Sequence, residues 1–435
     1  MKFAKQIETE ATELPQDWRP YLIQYRSLKK SLHYVVEELE ASGLSSQLLN
    51  PSTPKERLDM ARFIYDLNGN DTNLDFNINS TTTATTTNPP LHPCIKIIVD
   101  NPSSLNEHIK IIDAIHYQQD DINNSFQYKI NLKKDSEFFD LLLQELKQAV
   151  SLQEVEKNKF NKEIQELESQ LVVAASPKKK DMNVWREIFK MFLESSLHST
   201  QSKGQNYEKC KEKLSLLLND IQKKKLDQKL STKKSKMALK QFLALNRNLN
   251  IFQHFQLLNT TAMNKILKKH DKRSGLSAME EFPSFVTKTN KSFFEEITIN
   301  LFKLIEKNII SIVPQPDDYY CPVCYGIAWR PIRLECSHVF CVRCLIKAHR
   351  KRLYDCPICR QENAVLNADA NNLDTALQDF LLLYFPKEIK EKRLDNQKET
   401  NQSSSTLLHS PIRYGNPSPT PSPSSSSSSQ SCIIM

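Results

Sequence analysis

The feature that most constrains this chain is a series of seven cysteines and one histidine within residues 321–360. The spacing is Cys-x2-Cys, eleven residues, Cys-x-His-x2-Cys-x2-Cys, eleven residues, Cys-x2-Cys, formed by Cys321, Cys324, Cys336, His338, Cys341, Cys344, Cys356 and Cys359. Two thiolates separated by two residues can bind one zinc ion from a tight turn, and eight ligands complete two tetrahedral shells. No coordination position remains open. The spacing therefore predicts two structural zinc ions, whose binding helps to fold this segment.

The remaining composition is typical of a protein kept in the cytoplasm. No apolar run approaches the roughly 20 residues of a membrane helix, and the N-terminus lacks the apolar core of a signal peptide. In that reducing compartment cysteines bind metal more readily than they form disulfides. The net charge of +8 is mild, so affinity for polyanions would depend on local clusters of lysine.

Hydrophobic periodicity predicts a mainly α-helical protein. Apolar residues recur at helical spacing over 1–40, 137–171, 184–200, 205–247 and 250–272. These segments predict an antiparallel bundle of long helices, followed by a small α+β zinc module. Between them, the Asn/Thr-rich sequence over 71–90 predicts a flexible insertion.

These patterns divide the chain into five regions. We expect a helical domain over 1–280 with a disordered insertion around 41–130, a helical linker over 281–318, the zinc module over 319–365, a short helix within 366–395, and a disordered Ser/Pro-rich tail over 396–435.

The spacing of the zinc ligands resembles the RING family. The resemblance implies an interleaved arrangement, which the sequence alone does not show: one zinc ion bound by Cys321, Cys324, Cys341 and Cys344, the other by Cys336, His338, Cys356 and Cys359. RING ubiquitin ligases dock a ubiquitin-conjugating enzyme in a shallow apolar groove, and Val323 and Pro357 occupy the matching positions. Arg360 stands where many of these ligases carry a cation that bridges the conjugating enzyme and ubiquitin.

Two functions remain open for such a module. The resemblance implies a ubiquitin ligase that holds the charged conjugating enzyme in a reactive geometry and forms no covalent intermediate of its own. The alternative is a non-enzymatic scaffold with an interaction-only RING. Ala348 favours the scaffold because many RINGs carry Trp at this position, whereas Val323, Pro357 and Arg360 favour the ligase.

A second cluster of candidate site residues is basic. Lys265, Lys268, Lys269 and Lys272 recur at spacings of three and four, which places all four ammonium groups on one face of a helix. Like charges this close repel each other, so the face favours a bound polyanion, although a solvated lysine face is the simpler alternative.

Three sequence blocks resemble an SPX domain: MKFAKQIE with YLIQYRSLKKSL, then FFDLLLQELKQAV, then FQLLNTTAMNKILKKHDK. SPX domains bind inositol polyphosphates and pyrophosphates and report phosphate status. The resemblance implies that Tyr25, Lys29 and Lys269 bind phosphate, with Lys265, Lys268, Lys272 and Lys2 around them. It also implies a role in phosphate homeostasis, with phosphate transporters as candidate substrates of the ligase.

A further run of lysines lies over 223–236, with seven lysines in fourteen residues. No aromatic residue is interleaved for base stacking, so the run favours a solvated helix surface and no nucleic-acid partner is expected.

The chain ends in Cys432-Ile433-Ile434-Met435, which matches a prenylation signal in which Met favours farnesyl. One lipid chain gives reversible attachment. We therefore expect a cytoplasmic protein that binds a membrane peripherally through Cys432.

Overall fold

The structure, a computed structural model, describes residues 3–49, 61–67, 91–99, 117–120, 125–177, 179–195, 207–289, 293 and 297–407. The helices are α1 (Phe3–Ala11), α2 (Tyr25–Ala41), α3 (Ser46–Leu49), α4 (Lys133–Ala174), α5 (Asp181–Glu194), α6 (Tyr207–Lys223), α7 (Leu226–Lys229), α8 (Lys233–Ser274), α9 (Ala278–Thr289), α10 (Ile297–Asn308), α11 (Val342–Arg350), α12 (Thr375–Tyr384) and α13 (Pro386–Leu407). The strands are β1 (Ala61–Asp66), β2 (Cys94–Val99), β3 (Tyr117–Asp120), β4 (Ser125–Asn131), β5 (Pro331–Arg333) and β6 (Val339–Cys341). The mainly α fold class is confirmed.

The chain forms two compact units. Unit 1 comprises residues 1–167, 196–219 and 239–307, and Unit 2 comprises residues 168–195, 220–238 and 308–435. The boundary therefore falls inside α4, α6, α8 and α10, and neither unit is a continuous segment of sequence.

Unit 1 is built on antiparallel packing of α4 and α8. Phe138 lies 5.2 Å from His270 and Phe160 lies 5.6 Å from Phe252, measured between ring centroids, so the sequence numbers run in opposite directions along the two helices. Both phenylalanines of α4 are fully or nearly fully buried. Burial of each such ring contributes about 2–3 kcal/mol. This gain explains why apolar residues recur at helical spacing along the buried face of α4, the pattern from which the sequence predicts this helix.

Two helix boundaries differ from the sequence prediction. The region 1–40 was expected to be helical throughout, but α1 ends at Ala11 and α2 begins at Tyr25, because Pro15 and Pro20 lack the N–H that a helix interior needs. The sequence predicts one helix over 205–247 and another over 250–272. In the structure α6 ends at Lys223, and α8 continues without a break through residues 247–250. Asn246, just before this stretch, is buried and donates its side-chain amide to the Phe242 carbonyl at 2.7 Å, whereas Arg247 and Asn248 are exposed, so α8 contains these polar residues without ending.

The expectation of a disordered insertion around 41–130 is wrong for the strands in that region. They form an antiparallel sheet in the order β1-β2-β4-β3. Ile95 and Ile97 are fully buried, whereas Lys96 between them is half-buried, so β2 has the alternation of a strand with one face in the core. The Asn/Thr-rich segment 71–90 lies outside the described residues.

A buried charged network ties β1, α4 and α8 together within Unit 1. The Tyr65 hydroxyl donates to Asp135 at 2.7 Å, and the other carboxylate oxygen of Asp135 lies 2.7 Å from His270 Nε2. Asp135 and His270 are both fully buried. Burial alone would lower the pKa of His270, but the charge and hydrogen bond of Asp135, together with Asp271, raise it to about 9. The imidazolium is therefore the stable form at neutral pH.

This network predicts a loss of stability at alkaline pH. A histidine whose pKa is raised on folding stabilises the folded state fully below its unfolded value, about 6.5, and that stabilisation disappears as pH rises through about 9. The Asp135→Asn variant should be less stable by about 3 kcal/mol at neutral pH, because it leaves the buried imidazolium of His270 without its carboxylate partner. Its thermal midpoint should also change less than that of the wild type between neutral pH and about pH 9. Thermal unfolding across this range checks both outcomes, and parallel curves for the two proteins would contradict this role of His270.

In Unit 2, a single arginine connects α5 to the segments that flank the zinc module. Arg186 donates to the Pro314 carbonyl at 3.2 Å and to the Tyr384 carbonyl at 2.7 Å. Its guanidinium also lies 4.5 Å from the Phe385 ring centroid and 3.5 Å from the Glu388 carboxylate. The side chain is almost buried, so α5, α12 and α13 are held together by a cation whose removal would leave two carbonyls without this donor.

Two further expectations concern membranes and the tail. In the described part of the chain, no helix combines the length and apolar character that crossing a membrane requires. The tail was expected to begin at residue 396, but α13 extends to Leu407. Residues 408–435, which include Cys432, lie outside the described residues.

Candidate zinc centre and anion site

The structure gathers the eight predicted metal ligands into two groups of four. One group is Cys321, Cys324, Cys341 and Cys344, and the other is Cys336, His338, Cys356 and Cys359. Within each group the ligand atoms lie within 4.8 Å of one another. This interleaved pairing is the one that the resemblance to the RING family implies. The first group offers four thiolates, and the second offers three thiolates and one imidazole. Both ligand sets suit a structural zinc ion.

Each zinc group contains a turn with the same backbone geometry. In the first turn the Tyr325 N–H donates to the Cys321 carbonyl at 2.8 Å, and in the last the Arg360 N–H donates to the Cys356 carbonyl at 2.9 Å. Tyr325 and Arg360 both adopt positive φ, at 52° and 61°. This conformation is costly for residues with a Cβ and persists only where its surroundings enforce it, which matches the requirements of a metal-binding turn.

The zinc module has only a small apolar core of its own. Its members include Ile332 and Phe340 from the β5–β6 hairpin and Leu345 from α11, packed against the ligand cysteines. Hydrogen bonds with the Cys341 and Cys344 thiols lower the pKa of Cys321. Because so few apolar residues are buried, metal binding must supply much of the folding free energy.

Exposed apolar side chains lie in the two metal-binding turns and on α11. Val323 in the first turn is 45% exposed and Ile358 in the last is 47% exposed, and Pro357 beside it is also exposed. Ile346, on the outer face of α11, is 41% exposed. Several exposed aliphatic side chains on a small domain are typical of a protein-binding surface.

Arg360 and Ala348 have different environments. Arg360 is exposed, and its positive φ directs the chain out of the last metal-binding turn. Ala348 is half-buried and packs against the core of the module. Ala348, at the position where many RINGs carry Trp, therefore contributes to the core contact of α11. On the same helix, Ile346 supplies an exposed apolar side chain.

The four lysines of the predicted basic cluster lie on the C-terminal part of α8. We call this cationic surface the anion face, after the ligand that its charge favours. Lys265, Lys268 and Lys272 are exposed and Lys269 is half-buried, whereas Ile266 and Leu267 between them are fully buried. In the described part of the chain, none of these four lysines has a carboxylate within ion-pair distance. Four ammonium groups on about two helical turns thus have no neutralising partner among the described residues.

Aromatic residues from the N-terminus lie beside this face. The Phe3 ring packs edge-on against Tyr25 with centroids 5.0 Å apart, and Lys265 Nζ lies 5.6 Å from the Phe3 centroid. Burial raises the pKa of Tyr25, so its hydroxyl remains a hydrogen-bond donor. Lys29, one turn after Tyr25 on α2, is exposed, and Lys2 lies outside the described residues.

Comparison with known proteins decides the family. The model of the SPX domain matches residues 1–286, about two thirds of the chain, and the model of the C3HC4-type RING finger matches residues 321–359. The chain belongs to the SPX family and carries a RING finger.

Relatives share both parts of this SPX-RING protein. It is 30% identical to "Transcriptional regulator of yeast form adherence 3" of Candida albicans, over 92% of this chain and 96% of that protein. It is 28% identical to an uncharacterized RING finger protein of Schizosaccharomyces pombe, over 94% of this chain and 98% of that protein. No solved structure matches.

The RING finger alone is similar to a ubiquitin ligase. It is 47% identical over 45 residues to E3 ubiquitin-protein ligase RNF138 of Rattus norvegicus, which covers 10% of this chain and 22% of that protein. This similarity supports a ligase reading of the RING finger.

Two residues near these sites were missed at the sequence level. Lys392 of α13 places its Nζ atom 3.1 Å from the Cys324 sulfur of the RING finger. Arg273 lies close enough to Tyr25 of the SPX domain for its charge to lower the pKa of that tyrosine, against the larger effect of burial. Lys392 is far from Cys324 in sequence, so spacing gave no signal. Arg273 directly follows the lysine cluster and could have been included as its next cation.

Proposed function

We propose that this protein is a RING-type ubiquitin ligase that positions a ubiquitin-charged conjugating enzyme, and that its SPX domain senses inositol polyphosphates in phosphate homeostasis. The observation that carries the ligase half is the exposed apolar surface formed by Val323, Pro357 and Ile358 beside Arg360. A conjugating enzyme that docks there brings its thioester near a planar cation with several N–H donors.

The RING residues act by binding and orientation. The zinc ions, when bound, hold the two metal-binding turns at a fixed separation. Val323 and Pro357 then contact the conjugating enzyme, and Arg360 donates hydrogen bonds across the boundary between that enzyme and ubiquitin. Restricting a flexible thioester to a reactive geometry accelerates its attack by a substrate amine without a nucleophile on the ligase.

The ligase proposal predicts a selective effect of Arg360→Ala. This variant should reduce ubiquitin transfer by about tenfold or more, because the bridging hydrogen bonds are lost, while zinc content remains at the wild-type level. Reconstituted ubiquitination with a panel of conjugating enzymes measures the change. A matched control is Arg352→Ala, since Arg352 is likewise exposed with positive φ but follows no zinc ligand. Equal activity of wild type and Arg360→Ala would remove Arg360 from the mechanism.

The sensor half rests on the anion face. Its lysines, the Tyr25 hydroxyl and Lys29 offer the several cationic and hydroxyl donors that a polyphosphate requires. With the ligase half, this makes phosphate-handling proteins, including phosphate transporters, the proposed substrates.

The second candidate is a non-enzymatic SPX scaffold that regulates phosphate transport or polyphosphate machinery and whose RING only mediates interactions. Ala348 favours it, because a half-buried alanine offers the conjugating enzyme less contact area than an exposed Trp. The same reconstituted assay separates the candidates, since a scaffold forms no ubiquitin chains with any conjugating enzyme.

We also propose that Cys432 is prenylated and that the protein is cytoplasmic and peripheral to a membrane. The terminal tetrapeptide supports this proposal. Intact-mass measurement of protein purified from a eukaryotic host checks it, with Cys432→Ser as the control.

A further inference from the structure

A second set of exposed lysines belongs to Unit 2 and plays no part in the zinc or anion sites. We call it the junction patch. Its members come from the segment before α5, from α7 and its preceding turn, and from the start of α8: Lys179, Lys180, Lys225, Lys229, Lys233, Lys234 and Lys236.

A buried carboxylate brings these segments together. Asp181, at the start of α5, accepts hydrogen bonds from the Ser231 N–H at 2.8 Å and its hydroxyl at 2.6 Å, and from the Ser235 hydroxyl at 2.7 Å. Its carboxylate is fully buried and also accepts from the Thr232 hydroxyl at 3.1 Å. Lysines that are more than 40 residues apart in sequence therefore lie around one fixed point of the fold.

Among the described residues, the junction patch lacks the ion pairs that neighbouring lysines form. Two neighbouring lysines do form ion pairs. Lys223 Nζ lies 3.7 Å from the Asp220 carboxylate, and Lys224 Nζ lies 3.0 Å from the Glu187 carboxylate. By contrast, none of the seven patch lysines has a carboxylate at ion-pair distance in the ranges that the structure covers. The fold thus concentrates repelling charges, which is unfavourable unless an anionic partner compensates.

Exposed aliphatic side chains accompany the lysines. Val172 and Val173 in the last turn of α4 are 56% and 52% exposed, and Met237 in the first turns of α8 is 51% exposed. Lys179 Nζ donates to the Val173 carbonyl at 2.6 Å, so the exposed end of α4 lies beside one of the patch lysines. Apolar side chains among lysines match the boundary between lipid headgroups and acyl chains.

We propose that the junction patch binds the surface of an anionic phospholipid membrane. Its lysines would contact the headgroups, and Val172, Val173 and Met237 would enter the interface. Lysine is a flexible point charge that suits a diffuse anionic surface, with each one contributing near the membrane. Nucleic acid fits less well, because the patch contains no aromatic side chain on which a base could stack.

This proposal goes beyond the ligase and the sensor, and it complements the terminal prenylation signal. A single lipid chain gives only reversible attachment, whereas a chain combined with a basic surface gives stable attachment. The patch would therefore supply the second attachment point and could do so in protein without a lipid.

The test uses the full-length, unprenylated protein and sedimentation with vesicles. Wild type should bind phosphatidylcholine vesicles that contain phosphatidylserine, should not bind pure phosphatidylcholine, and should be released by salt. The variant Lys179→Gln/Lys180→Gln/Lys233→Gln/Lys234→Gln should lower the partition coefficient by at least about a hundredfold. The uncharged pair Val172→Ser/Val173→Ser should weaken binding without changing its salt dependence.

A control with the same change in net charge makes the result decisive. Lys147→Gln/Lys162→Gln/Lys303→Gln/Lys387→Gln removes four exposed lysines that lie outside the patch, and this variant should bind like the wild type. Thermal unfolding establishes that both quadruple variants are folded. Equal weakening by both variants, or no binding by the wild type, would overturn the proposal. It would also be overturned if the patch variant lost binding to single-stranded RNA but kept binding to the vesicles.

Discussion

Replacing Cys341 by Ser is expected to unfold the RING finger and to reduce ubiquitin transfer to background. Cys341 is buried, belongs to the first zinc group, and lies at the end of β6 where α11 begins. Zinc binding contributes about 10 kcal/mol or more to the folding of small zinc modules, which greatly exceeds what the small core around Phe340 can supply. Loss of one ligand should therefore expose residues 319–365 to proteolysis.

The matched control for this prediction is Cys210→Ala. Cys210 is also buried but belongs to neither zinc group among the described residues. This variant should keep two zinc ions, a protease-resistant RING finger and wild-type ubiquitin transfer. A Cys341→Ser protein that remained resistant to protease would contradict the dependence of this fold on zinc.

The second large effect concerns the anion face. The variant Lys265→Ala/Lys268→Ala/Lys269→Ala/Lys272→Ala should weaken binding of inositol hexakisphosphate by at least about a hundredfold in calorimetry, because four charge-assisted contacts are lost. The unliganded variant should be as stable as the wild type or slightly more so. The substitution removes repulsion between neighbouring lysines and introduces the residue with the highest helix propensity.

A reciprocal control distinguishes this face from the junction patch. The patch variant Lys179→Gln/Lys180→Gln/Lys233→Gln/Lys234→Gln should bind inositol hexakisphosphate as the wild type does. The ligand should also raise the thermal midpoint of that variant and of the wild type, but not that of the anion-face variant. Equal affinity of the anion-face variant and the wild type would overturn the assignment of this face.

Local periodicity and ligand spacing carried most of the predictable structure. The apolar stripe of α4 predicted a long helix at 137–171, which the structure has at Lys133–Ala174. The eight zinc ligands were readable because a metal-binding turn fixes the number of residues between two thiolates. Their interleaving depended on the resemblance to the RING family, since spacing alone leaves the pairing open.

Features that depend on tertiary contacts could not be predicted in the same way. The strand β2 is a short apolar run beside long polar segments, so its alternation was too brief to stand out. The contact between Lys392 and Cys324 joins residues 68 positions apart, and Arg186 acts through carbonyls that any residue could offer. Asp181 likewise looked like an ordinary first residue of a helix, although it fixes the junction patch.

Native mass spectrometry of the purified full-length protein determines whether two metal ions organise the RING finger, on which the proposed ubiquitin transfer depends. We expect a chain with two bound zinc ions, which a chelator removes together with the protease resistance of residues 319–365. A chain without stoichiometric zinc, or a RING finger that stays folded after chelation, would contradict it.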